Sequence, residues 1–94
     1  MMDRQLSSTR DPIFRDFDVL LKGMRRQFFG KQIALAYVTG CTDAAVSYWE
    51  SGKRAPDPRR FSLLVAALAD AGAPAPDLQH LRHAWERAKV RSLR

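Results

Sequence analysis

Cys41, His80 and His83 are the candidate soft metal ligands of this sequence. His80 and His83 stand three residues apart and could share an ion, but no third protein ligand accompanies them, and a zinc site needs at least three. A solvated helical face is the plainer reading, and no metal or cofactor is expected. No serine, histidine and carboxylate fall on a recognisable catalytic pattern, so no enzyme is expected either. What remains is charge. Residues 25–60 hold seven basic and three acidic side chains, against four and four in residues 1–24. Residues 77–94 add five basic and two acidic, and the whole chain carries +6. That excess favours a polyanionic partner, although basic balance alone identifies none. The single cysteine excludes an internal disulfide framework and fits a reducing cytoplasm.

These residues must be positioned by a small scaffold. Ninety-four residues, 46% of them hydrophobic, suffice for one modest core and are too few for two. No apolar stretch approaches the roughly 18 residues of a membrane span. No apolar run follows the first charges at the N-terminus, so a secretory signal is not expected. Residues 1–11 read as a loose polar arm. Asp11-Pro12 reads as a helix start, an acceptor at the cap followed by proline where no amide hydrogen is needed. Ile13, Phe14, Phe17, Leu20, Leu21, Met24 and Phe28 then recur at helical spacing and predict a first helix over residues 12–28, with Gly23 a weak point inside it.

After Gly30, Ile33, Leu35, Ala36 and Val38 predict a short second helix that stops at Thr39-Gly40, where glycine suits a left-handed terminus. Thr42 caps a third, with Ala45, Val46 and Trp49 inward and Ser51-Gly52 at its end. Asp57 caps a fourth, with Pro58 at its first position and Phe61, Leu64, Val65, Leu68 and Ala69 along it, ended by Gly72. A proline-alanine hinge follows. Leu78, Leu81, Trp85 and Ala88 then predict a fifth helix whose outer face carries Arg82, Arg87, Lys89 and Arg91, with Arg94 beyond. No strand pattern appears. The expectation is a compact all-α bundle of five helices, with residues 12–72 as the main domain and residues 73–94 as hinge and accessory helix.

The stretch QIALAYVTGCTDAAVSYWESG, residues 32–52, is two short amphipathic helices joined by a tight glycine turn. Any small helical hairpin could use alanine at a crossing and glycine in a turn. If Val46 and Trp49 bury the second of these helices, its other face stays free. A helix so held can enter a DNA major groove, which is about 12 Å wide.

Gln32, Ala36, Gly40, Val46, Trp49, Glu50 and Gly52 resemble, without a gap, the helix-turn-helix pattern of the phage repressor/Cro-like (Xre-type) transcriptional regulators. The resemblance extends over about residues 17–72, through Lys53-Arg54-Ala55-Pro56 and the leucine-rich fourth helix. It implies a lambda-repressor-like DNA-binding fold. It also implies that Gln32, Thr42, Lys53 and Arg54 contact DNA phosphates, and that Asp43, Ala44, Ser47 and Tyr48 face the groove. Arg25, seven residues before Gln32, matches the family arginine that pairs with the glutamate at the Glu50 position. The chain departs from the pattern in carrying Asp43 and Ala44 where glutamine or arginine is frequent. It departs again at Gly30, where the family prefers leucine; Phe28 or Phe29 is expected to fill that volume. Aspartate can accept from a cytosine amino group, and alanine can pack on a thymine methyl.

Trp49 is expected in the core. Trp85 could close the core or form a partner surface, and Tyr48 could touch a phosphate or simply be exposed. The resemblance implies a sequence-specific double-stranded DNA-binding regulator, a repressor acting as a homodimer on a palindromic operator, in a bacterial cytoplasm or nucleoid. The alternative is a DNA-binding antitoxin or protein-interaction module that binds a protein partner through the helix of Leu78, Leu81 and Trp85.

Overall fold

In a computed structural model the protein is described over residues 16–92, with side chains over residues 16–89. The expected arm at residues 1–11, the Asp11-Pro12 cap, and Ile13 and Phe14 lie outside these residues. So do the side chain of Arg91 and all of Arg94. The described residues form five α-helices and no strand: α1 Phe17–Phe28, α2 Gln32–Thr39, α3 Asp43–Glu50, α4 Pro58–Asp70 and α5 Ala75–Ser92.

One core joins them. Leu21 of α1, Leu35 and Ala36 of α2, Val46 of α3, Leu64 and Leu68 of α4, and Leu81 of α5 are fully buried. The helices start and stop where side chains can serve the free backbone groups. Thr42 Oγ1 accepts from the Ala45 amide at 3.1 Å, and Asp57 Oδ1 accepts from the Arg60 amide at 2.7 Å, with Pro58 first in its helix. Phe28 and Phe29 are half-buried against the core beside Gly30.

Four sequence expectations need correction. The first helix does not run through from residue 12: Asp16 has extended backbone (φ −72°, ψ 155°), so the described helix begins at Phe17 with Asp16 as its cap residue. The proline-alanine segment is partly helical: its residues 72–74 connect the helices, and Ala75 and Pro76 already belong to the first turn of α5. Pro76 occupies a position where no amide partner is needed, and the Pro74 carbonyl accepts from the amides of Asp77 and Leu78 at 3.1 Å each. The apolar pattern of the second helix is not one buried face. Leu35, Ala36 and Thr39 are inward, while Ile33 and Val38 are exposed, and so is Ala69 on α4.

The fourth correction is the largest. Leu81 and Trp85 are buried and Leu78 is half-buried, so the stripe considered as a partner surface is spent inside the chain. The Trp85 ring lies parallel to Phe61 with centroids 4.2 Å apart, and its Nε1 donates to the Pro56 carbonyl at 2.8 Å. Phe17 packs on the same Phe61 at 6.2 Å. Helix α5 is therefore tied both to α4 and to the loop that leads into it, and belongs to the core.

Candidate functional site

Helices α2 and α3 are joined by a connection of three residues, 40–42. Gly40 takes the left-handed conformation (φ 68°, ψ 30°), which a side chain would strain. The Cys41 amide reaches back to the Ala36 carbonyl at 3.0 Å, closing the end of α2. Thr39 Oγ1 bonds the Leu35 carbonyl at 2.9 Å and lies 3.0 Å from the Cys41 sulfur. The turn is thus hydrogen-bonded from both sides, and α3 leaves it in one direction.

On α3 the side chains divide cleanly. Val46, Trp49 and Glu50 are buried, Ala45 is half-buried, and Asp43, Ala44, Ser47 and Tyr48 are exposed. The exposed set falls at i, i+1, i+4 and i+5, which is a single helical face. Lys53 and Arg54 follow it, both exposed. Their amides, at 3.1 and 3.4 Å, and the Ser51 hydroxyl, at 3.2 Å, all donate to the Tyr48 carbonyl. Lys53 Nζ lies 6.0 Å and Arg54 Cζ 5.4 Å from the centroid of the Tyr48 ring.

Beneath α3 sits the ion pair. Arg25 Nε donates to Glu50 Oε2 at 2.9 Å and Nη2 to Oε1 at 2.7 Å, a two-point contact shielded from water. Arg25 Nη1 donates to the Gly30 carbonyl, so the same guanidinium also holds the turn between α1 and α2. Gln32 Nε2 donates to Glu50 Oε1 at 3.1 Å. One amide hydrogen of Gln32 is thereby committed inward, while the second hydrogen and the carbonyl oxygen of the amide have no part in that bond. Burial pushes the Glu50 carboxyl up, but the hydrogen bonds from Arg25 and Gln32, with the charges of Arg25 and Lys22, outweigh it and hold the group below the usual carboxylate range. The Arg25 pKa moves up, chiefly through its hydrogen bond to Glu50 and against the effect of burial.

The expected site residues other than the buried pair lie on α2, α3 and the segments that join and follow them. Gln32 opens α2, Thr42 caps α3, the four exposed α3 residues follow, and Lys53 and Arg54 stand just beyond its end. Sequence reasoning overlooked Arg60. With Thr42, Arg54 and Asp57 it lines a surface depression of about 530 Å³ beside the start of α3. Its signal was faint, since its exposed contact with Asp57 at 3.9 Å is only the i, i+3 partner of a helix cap. Tyr37, at 85% exposed, and Ile33, at 57%, also leave α2 with an uncovered apolar edge. His80 and His83 lie on α5, and no three His, Cys, Asp or Glu among the described residues gather as a metal-holding group.

Comparison with protein-family models, with curated proteins and with solved structures yields no match for this chain.

Proposed function

We propose that this chain is a sequence-specific double-stranded DNA-binding regulator of the helix-turn-helix type, with α2 and α3 as the motif and α3 as the recognition helix. The observation that carries this reading is the division of α3. Its inner face is locked by Val46, Trp49 and the Arg25–Glu50 pair, and its outer face is polar, exposed and followed at once by two exposed cations. A helix fixed from behind and open in front is what a major groove accepts, and cations beside it meet the phosphates.

In this reading Gln32, Thr42, Lys53 and Arg54 anchor the backbone, while Asp43, Ala44 and Ser47 face bases. An acidic reader among cations suits a cytosine amino group at the base edge. Action as a homodimer on a palindromic operator, with repression by occupying a promoter, belongs to the same proposal. The alternative, a DNA-binding antitoxin or interaction module that binds a protein partner through the C-terminal helix, would have to use residues of α5 other than Leu81 and Trp85, which are buried.

Selection from a random duplex pool at near-physiological salt tests the proposal. Enrichment of an inverted repeat, with half-sites about one helical turn apart, is the expected result. Recovery of sequence-blind binding alone, steeply weakened by salt, would reduce the site to a basic surface and overturn the assignment of α3 as a reader.

A further inference from the structure

Tyr48 sits in the middle of the exposed face of α3, 43% exposed, where a base reader would stand. We infer that it is instead a positioning residue: the ring of Tyr48 holds Lys53 and Arg54 as a preformed pair of phosphate-binding cations. This rests on the DNA-binding reading above.

Two layers of contact support it. The first is backbone. The Tyr48 carbonyl accepts from the amides of Lys53 and Arg54 and from the Ser51 hydroxyl, and Gly52, at φ 80°, turns the chain so that both cations start beside the tyrosine. Those bonds do not depend on the side chain at position 48. The second layer does. Both cationic heads lie within 6.0 Å of the ring centroid, the distance over which an aromatic face attracts a cation.

Two like charges on neighbouring residues repel, and neither Lys53 nor Arg54 forms an ion pair among the described residues, the carboxylates of Asp16 and Asp18 lining the same surface depression without reaching them. The ring offsets the repulsion without neutralising either charge. Both cations thus stay available to an anion, and they lose less rotamer freedom when one arrives than two unrestrained side chains would.

The closing experiment has a free-protein arm and a DNA arm. In the free protein, the side-chain methylene protons of Lys53 and Arg54 are expected to show upfield ring-current shifts by NMR. These persist in Tyr48→Phe and vanish in Tyr48→Leu. On DNA, Tyr48→Phe should bind within about twofold of wild type, because the aromatic face is kept. Tyr48→Leu should bind about fivefold more weakly on operator and scrambled duplex alike, with a shallower salt slope and unchanged base preference. Two results would overturn the inference: a Tyr48→Phe variant that changes preference at one base position, which would make the hydroxyl a reader, or methylene protons without ring-current shifts. A Tyr48→Leu variant with wild-type affinity and salt slope would overturn it as well. Wild-type protein that holds no duplex would overturn the DNA-binding reading itself, and the NMR arm would still report separately whether the ring holds the two cations.

Discussion

At Glu50 two jobs meet in one carboxylate. It takes both arms of Arg25, and through Oε1 it also takes the Gln32 amide, so the pair that fastens α3 to α1 also orients the first residue of α2. The folded protein prefers the ionised form more strongly than the unfolded chain does. The contribution to stability is therefore complete above the ordinary carboxylate range and is lost as pH falls through the lower folded value. Glu50→Gln is expected to flatten the acid limb of the stability curve. At neutral pH it should destabilise by about 3 kcal/mol, because Arg25 is left buried without its counter-charge. Urea titrations across the acid range read both effects, and an acid limb identical to wild type would assign the sensitivity to other carboxylates. On the exposed face, Lys53→Ala should weaken binding to all duplexes alike and lower the salt slope by about 1. Ser47→Ala should alter preference at one position; equal losses on operator and random DNA would remove Ser47 from the readers.

At the scale of the helices, local chemistry was readable and long-range burial was not. Thr42 and Asp57 announce their caps because an acceptor side chain ahead of an apolar run has few other uses, and Gly40 announces a left-handed stop. By contrast, a stripe such as Leu78, Leu81 and Trp85 has the same spacing whether it closes its own core or meets another chain. Only the Phe61 stack and the Pro56 carbonyl distinguish the two. The same limit hid the cation contacts of Tyr48, which depend on how the loop after α3 folds back. Asp16 was masked by continuity of the apolar pattern across it. Two substitutions test the local part. Gly23 lies within α1 with nothing within 4 Å of an added Cβ, so Gly23→Ala should stabilise by about 0.5–1 kcal/mol. Gly40→Ala meets no steric obstacle but is forced into the left-handed region, and should destabilise by about 1 kcal/mol in thermal melts. A stabilised Gly40→Ala would mean that the turn is not held in this conformation in solution.

For the molecule as a whole, α5 converts a four-helix arrangement into a closed one. Trp85 is 4% exposed and touches α4 and the loop before it, so Trp85→Ala should cost about 3–5 kcal/mol. Small domains hold only about 5–15 kcal/mol in total. The variant should therefore melt far below wild type by circular dichroism, and a chain ending at residue 74 should not fold cooperatively. A truncated chain that keeps a sharp transition would return α5 to an accessory role. If the protein works as a two-fold dimer, the contact between copies has to come from a face other than the Leu81–Trp85 stripe.

The two tryptophans have a practical consequence. Trp49 is carried by α3 and Trp85 by α5, and both are shielded from water. Each is thus a native fluorophore that reports on a different helix of the same interior, and removing either by substitution to phenylalanine isolates the emission of the other. If the two single-tryptophan proteins lose their blue-shifted emission at the same denaturant concentration, the helices that present the charged surface and the helix that closes the bundle melt as one unit.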